Sequence, residues 1–288
     1  MNVLKPITAI ARRIISLLRN KVYVRVINVG YNDILNDQVI LLTGATGGLG
    51  QTFADAFLKA GAKIILCARN VDKLNELKEY LISTNKSYKD KIHTIVFDVT
   101  DIDQYEEVFS KAVAYYGHID SIINNAGIIG ATMPNAIVND YDKVMSTNLK
   151  SAFFLSQIAI KYFKHNKIEG HILNIASSSS LRPAFSAYSL SKWGIRGLTL
   201  GLAKLGARYG ITVNAIAPGP TATPMLGKSA CDDLSHPFSP IGRFIHPVEI
   251  ANMAVLLLSE SGRSILGDVI YMTGGAGTIT FDDDDIKF

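Results

Sequence analysis

The sequence predicts an α/β domain built on a doubly wound, parallel, seven-stranded sheet with helices on both faces. Three observations predict it. From about residue 38 onward, short runs rich in β-branched residues alternate with longer segments of helical period. Most of those runs are apolar throughout, the pattern of strands covered on both faces. A glycine cluster closes the first run and opens the first helical segment, where open parallel sheets take up ligands.

The first run, residues 39–42, ends in Thr43-Gly44, and residues 51–59 read as the helix that follows. Further strands are expected at residues 63–67, 92–97, 119–123, 172–175, 212–217 and 269–272. Helices are expected between them at residues 71–81, 104–116, 141–165, 187–209 and 247–259, where apolar residues recur at helical spacing. Parallel neighbours need right-handed crossovers, which distribute these helices over both faces. No internal repeat or low-complexity linker divides residues 36–277, so they are expected to form one domain.

At 288 residues the chain has room for one large α/β domain and an appendage. Apolar residues make up 48% and charged residues 19%, enough for a large core and too apolar for disorder. Mean hydropathy is +0.20. Even so, Lys, Arg, Asp or Gly interrupts every apolar run before the roughly eighteen residues of a spanning helix, which argues against a transmembrane chain. The net charge of +4 is spread along the sequence without a basic stripe, so no nucleic-acid partner is expected. The two cysteines, Cys67 and Cys231, lie far apart without CxxC spacing, and the six histidines show no metal-binding spacing. The expectation is a reducing, cytoplasmic setting and no metal. Cys67 ends an apolar run and reads as a buried small hydrophobe.

Both ends fall outside the alternation. Residues 1–35 form an extension, in which Ile7, Ile10, Ile14, Leu17 and Leu18 share a helical face beside Arg12, Arg13, Arg19 and Lys21. Such a basic amphipathic helix can lie on an anionic membrane surface or dock a partner. Packing on its own core or on a sister subunit is the preferred reading. The arginines within the apolar run argue against a cleaved signal peptide. Residues 278–288 carry four consecutive aspartates and read as a solvated acidic tail.

The segment Thr43-Gly44-Ala45-Thr46-Gly47-Gly48-Leu49-Gly50 joins the first strand to the first helix. Glycines here let the backbone approach a pyrophosphate, and the helix N-terminus offers free N–H groups and its positive dipole end. Between a strand and a helix of a βαβ unit, this predicts a dinucleotide. A site for NAD usually places an acid after the second strand, to accept from the ribose 2′-hydroxyl. Here that stretch reads Cys67-Ala68-Arg69-Asn70. Arg69 suits a 2′-phosphate instead, so NADP is preferred over NAD, while Asp72 could cap the next helix or reach the ribose.

Tyr188 and Lys192 stand four apart at the start of a helical segment and so share a face. A phenol has an ordinary pKa of about 10. A neighbouring ammonium and an oxidised nicotinamide both favour its phenolate, which brings it toward useful acid/base strength. Upstream, a strand ends at Ile175-Ala176 and opens the serine run 177–180, whose hydroxyls would face the ligand crevice.

Taken together, these residues resemble the short-chain dehydrogenase/reductase family, and within it the 3-oxoacyl-carrier-protein reductases. Thr43, Gly44, Thr46, Gly48, Leu49 and Gly50 are similar to its TGxxxGxG cofactor motif, and Asp98 with Val99 to its adenine-contacting pair. Asn125, Ala126 and Gly127, after Asn124, match NNAG; Asn148 matches the helix asparagine of the catalytic tetrad. Tyr188 and Lys192 match YxxxK, while Asn214 with Pro218, Gly219, Thr221 and Thr223 resembles the segment that holds the nicotinamide carboxamide. The motifs run in the family's order over residues 36–277. The resemblance implies a Rossmann fold and hydride transfer between NADP or NAD and a small secondary alcohol or carbonyl substrate. It makes Tyr188 the acid/base, Lys192 the partner of the ribose hydroxyls and Asn148 the holder of a water in the proton relay.

The catalytic serine implied is Ser177, with Ser178 as runner-up, because the eleven positions from Ser177 to Tyr188 fall about two short of the usual gap. Other features keep a plain reading beside the functional one. Asp98 could cap the next helix, Thr223 could cap a helix before Pro224, Asn124 and Asn125 could close turns, and Trp193 could be packing. Residues 224–246 are the expected lid over the substrate; Arg182, Lys228 and Arg243 could meet an acidic group there. The helical segments 141–165 and 187–209 correspond to the family's dimer interface, which implies a homodimer or homotetramer. A non-catalytic scaffold using the N-terminal helix is the alternative, and an intact Asn148, Ser177, Tyr188 and Lys192 speak against it. A nucleotide-sugar epimerase is disfavoured because both TGxxGxxG and a larger C-terminal domain are missing.

Overall fold

The computed structural model describes Val22, residues 33–237 and residues 239–277. The helix expected at residues 6–19 and the acidic tail lie outside the described residues. The elements run β1 (Val39–Thr43), α1 (Gly48–Lys59), β2 (Lys63–Ala68), α2 (Val71–Thr84), β3 (Ile92–Val96), α3 (Tyr105–Tyr116), β4 (Ser121–Asn124), α4 (Val138–Met145), α5 (Ser151–Asn166), β5 (His171–Ile175), α6 (Ala187–Gly206), β6 (Thr212–Pro218), α7 (Pro247–Leu258) and β7 (Val269–Met272). The seven strands form one sheet in the order β3-β2-β1-β4-β5-β6-β7, and every pairing is parallel. The order reverses between β1 and β4, which opens a crevice at the carboxyl ends of those strands.

The uninterrupted apolar runs feed two cores at once, because successive residues of a strand point to opposite faces. Ile40, Leu42, Ile64 and Leu66 join Phe53 and Phe57 of α1, Leu74 and Leu77 of α2, and Ile250 and Val255 of α7. Val39, Leu41, Ile65 and Cys67 join Tyr105 and Phe109 of α3, Leu155 and Phe163 of α5, and Leu202 of α6. Burial also pushes the Cys67 thiol up to about 12, so it packs as an inert hydrophobe. Leu35, which the sequence assigns to the extension, is fully buried in the first core.

Local chemistry sets the helix ends. The Asn70 side chain accepts from Lys73 N–H at 2.8 Å and caps α2, which removes Asp72 from that role. His246 caps α7 in a reciprocal box with Glu249, and Pro247 occupies the first turn. Gly117 stops α3 in the left-handed region at φ 83°. The main departure from expectation lies at residues 141–165. The helical path runs on through them, but a widened π turn at Ser146–Lys150 divides it into α4 and α5. Likewise α6 stops at Gly206, and Ala207–Tyr209 tightens into a 3₁₀ turn.

Candidate active site

A cavity of about 750 Å³ follows the crevice, from the β2 end across α1 to the serine run and the lid. At its phosphate end, α1 starts at Gly48 without a side-chain cap and with no acid in its first turn. Its free N–H groups and dipole are therefore available to an anion. Gly44 supplies the turn at φ 63°, and a Cβ there would meet the Ala126 backbone at 2.8 Å. A Cβ on Gly50 would run into the Gly44 carbonyl oxygen, so only glycine lets the helix close on the turn.

At the β2 end, Arg69, Asn70, Lys73, Asp98 and Val99 line the wall. Asp98 accepts from the Thr100 N–H and hydroxyl at 2.9 and 2.8 Å, and its other oxygen lies 4.0 Å from Arg69. Both side chains of that pair are well exposed, so the attraction is weak and leaves the guanidinium available.

The chemical end is built by β5 and α6. Ser186 caps α6 by accepting from Ser189 N–H, and the helix carries Tyr188 and Lys192 to the cavity wall opposite Ser177. Burial pushes the Tyr188 phenol up, and a hydrogen bond with the Ser177 hydroxyl opposes that shift. Lys192 is buried, donates to the Ile175 carbonyl at 2.7 Å, and has its Nζ 5.7 Å from the Tyr188 ring centre. Burial brings its ammonium down to about 8. In the chain alone the phenol is therefore raised rather than lowered. Ser177 Oγ also accepts from Ser179 N–H at 3.1 Å, which fixes its rotamer. Ser177 and Ser178 both line the cavity, and of the two it is the Ser177 hydroxyl that acts on the Tyr188 phenol.

The model of the short chain dehydrogenase family matches residues 38–233. The chain belongs to the short-chain dehydrogenase family. A 3-oxoacyl-[acyl-carrier-protein] reductase of Thermotoga maritima is 35% identical over 246 residues, covering 84% of this chain and 98% of the relative. Among solved structures, levodione reductase superposes with a TM-score of 0.78 at 30% identity, over 85% of this chain and 99% of that one. A single-substitution variant of actinorhodin polyketide ketoreductase with NADPH superposes with a TM-score of 0.75 at 28% identity, over 84% and 98%. This short-chain dehydrogenase is accordingly an NAD(P)-dependent oxidoreductase acting on CH–OH or carbonyl groups.

Of the residues singled out by sequence, Gly44, Thr46, Gly48, Leu49, Gly50, Arg69, Asp98, Val99, Asn125, Ala126, Gly127, Ser177, Tyr188, Lys192, Pro218, Gly219, Thr221 and Thr223 line the dehydrogenase's cavity. Thr43 does not. Its buried hydroxyl donates to the Ile123 carbonyl at 3.0 Å and accepts from Asn125 and Ala126 N–H, tying β1 to the loop after β4. Asn148 stands just behind the cavity wall: its amide accepts from Ile128 N–H at 2.8 Å and donates to the Ile128 carbonyl at 2.9 Å and to the Ser191 hydroxyl at 3.1 Å. It thereby fixes the stretch next to Gly127, where a Cβ would lie 3.7 Å from Lys192 Nζ. Asn214 ties β6 to the β7 approach through Ile265 and Asp268, outside the cavity. Asn124 is buried and donates to Ser156 and Asn174.

Thr223 makes no side-chain cap bond, so it is not the helix cap considered from sequence. Of the three cations considered for an acidic group, Arg243 is gripped by Glu249 at 2.8 and 2.9 Å, and Lys228 lies over the Phe244 ring. Arg182 is the one that lines the cavity. Sequence reasoning did not single out Asn70 and Lys73 on the cavity wall, and it held His236 and Phe244 only as part of the expected lid 224–246. The first two adjoin Arg69 and could have been found from their place after β2; the lid pair has no spacing signal. The tryptophan is more than packing, since Trp193 donates to the Arg182 carbonyl at 2.9 Å and pins that loop.

Proposed function

We propose that this short-chain dehydrogenase is an NADPH-preferring reductase of small secondary carbonyl compounds, working in a reducing cytoplasm. The observation that carries the reading is one continuous cavity. It has α1's uncapped N-terminus and Arg69 at one end and Ser177, Tyr188 and Lys192 at the other. When bound, the dinucleotide supplies the hydride. The Tyr188 hydroxyl then gives its proton to the substrate oxygen, which the Ser177 hydroxyl holds as negative charge develops there. The Lys192 ammonium, close to the same ring, favours the phenolate left behind and has N–H groups to spare for the ribose hydroxyls. Asn148 keeps the Gly127–Ile128 stretch in place behind Lys192, a positioning part in the proton path. A buried ammonium brought down to about 8 costs stability in a scaffold with no chemistry to perform, which weighs against the non-catalytic reading.

NADPH is preferred because Arg69 and Lys73 both line the β2 end, and Asp98, its one acid, pairs only loosely with Arg69. A second copy of the chain is the expected partner of the outer faces of α5 and α6, where Phe153, Leu200 and Leu205 stand exposed. Titration of Trp193 fluorescence with each dinucleotide tests the cofactor reading. Wild type should bind NADPH at least about tenfold tighter than NADH, and Arg69→Asp should bring the two together or reverse them. An unchanged ratio in the variant removes Arg69 from the 2′-phosphate site. Acetoacetyl-CoA, a 3-oxoacyl thioester like the substrate named for the Thermotoga relative, is the first carbonyl to assay.

A further inference from the structure

The lid over the chemical end is a folded hairpin. His236 N–H donates to the Gly242 carbonyl at 2.8 Å, Phe244 N–H donates to the Leu234 carbonyl at 2.8 Å, and Ser235 pairs antiparallel with Arg243. One edge of this hairpin continues into Ile245, which bridges to Thr221, and both His236 and Phe244 line the cavity. Its other edge, at Leu234, would present an unpaired N–H. That N–H donates to the Val22 carbonyl at 3.1 Å, while the Val22 N–H donates to Asp233 Oδ1 at 3.1 Å. The same Asp233 oxygen accepts from Ser235 N–H at 3.0 Å, so one carboxylate joins Val22 to the first arm of the hairpin. Val22 therefore caps the free edge at Leu234, two hydrogen bonds from a residue that faces the cavity. The family match spans residues 38–233, so Val22 and Leu234 both lie beyond it.

We propose that Val22 is a positioning residue for the active site: its main chain clamps the lid hairpin from outside and holds the His236–Phe244 wall over the nicotinamide and substrate end. The inference rests on the oxidoreductase reading for what the cavity holds, but not for the clamp itself. Both bonds come from the main chain, which makes the test sharp. Val22→Pro removes the N–H that Asp233 accepts and disturbs the carbonyl beside it, whereas Val22→Ala keeps both.

Hydrogen exchange of the full chain should show the Leu234 amide exchanging about tenfold faster in Val22→Pro, with Val22→Ala like wild type. Amides of the central sheet, such as those of Leu41 and Ile65, should not change. In the NADPH complex, acrylamide should quench the bound nicotinamide about twofold more strongly in Val22→Pro, at an unchanged Kd for NADPH. The clamp is overturned if Leu234 exchange is the same in Val22→Pro and wild type, or if Val22→Ala loosens it equally. Faster exchange without greater acrylamide access overturns the positioning role, and a rise across the sheet marks plain destabilisation and does the same. Failure of the wild type to bind NADPH would sink the NADPH-preferring reading, while the Leu234 comparison would still judge the clamp.

Discussion

At the scale of single residues, the serine run presents four hydroxyls, of which the family spacing puts Ser177 first and Ser178 second, and the structure gives them different surroundings. Ser177 meets Tyr188, while Ser180 is buried and donates to the Ser177 carbonyl at 2.8 Å, bracing the turn from behind. Substitution should follow this division. Tyr188→Phe should lower kcat for acetoacetyl-CoA by about 10²–10⁴ while leaving NADPH binding nearly intact. Ser177→Ala should lower kcat by about 10²–10³, and Ser178→Ala should stay near wild type. Steady-state rates for the three variants check all of this, and a Ser178→Ala loss matching that of Ser177→Ala would reverse the assignment. Tyr188 and Lys192 were legible because a helix turns a four-residue spacing into a shared face. Thr43 was not, because a threonine closing a strand reads the same whether its hydroxyl turns to the ligand or, as here, inward to the next loop.

At the scale of elements, the strands were the most legible part. A run such as Val-Ile-Leu-Leu, apolar on both faces, has few uses outside a covered parallel sheet. Their exact ends were less so. Asp120 falls inside the strand expected at 119–123, yet its carboxylate accepts from Val39 N–H at 2.8 Å and the strand begins at Ser121, two residues later than expected. The first residue of β5 carries a different burden. His171 is buried, its Nδ1 lies 2.7 Å from the Thr212 hydroxyl on β6, and its Nε2 has no hydrogen-bond partner among the described residues.

Burial first, and then the charge of Arg263, bring the His171 imidazole down to about 4, with Glu260 acting against them. The unfolded chain therefore binds the proton near pH 6.5 while the folded chain resists it until about pH 4. Stability is retained above that window and falls as pH drops through it, by about 3 kcal/mol at most from this one group. Urea denaturation at pH 7 and pH 4.5 should show the loss in wild type, and His171→Gln should reduce it. An equal loss in both proteins would assign the acid sensitivity elsewhere.

At the scale of the whole molecule, the chain is the shared domain plus what this sequence adds to it. The fold and the cofactor crevice belong to the domain and were readable from motif order. The lid's fastening was not, since Val22 enters it only through its main chain and the Asp233 carboxylate that receives it stands 211 positions away. Association belongs to this scale too. The exposed apolar side chains on α5 and α6 predict that wild type sediments as a dimer or tetramer at micromolar concentration. Phe153→Asp with Leu205→Asp should shift it to monomer without loss of the folded domain, because both positions are exposed in the single chain. A monomeric wild type, or an assembly indifferent to both charges, would move the interface elsewhere.

The widened turn between α4 and α5 has a consequence for how change can enter this enzyme. A π turn holds one residue more than a regular turn, so everything after it is rotated by about 100° relative to an uninterrupted helix. The turn itself is thereby aligned to the Gly127–Ile128 stretch, through Asn148, and the helix after it to the sheet, through Leu155, Ala159 and Phe163. It acts as a phase shifter between two surfaces that a straight helix could not serve together. Losing one residue anywhere in 146–150 would restore a regular helix and turn those three side chains out of the core, whichever residue was lost. Substitutions there can be absorbed one at a time; a change in count cannot.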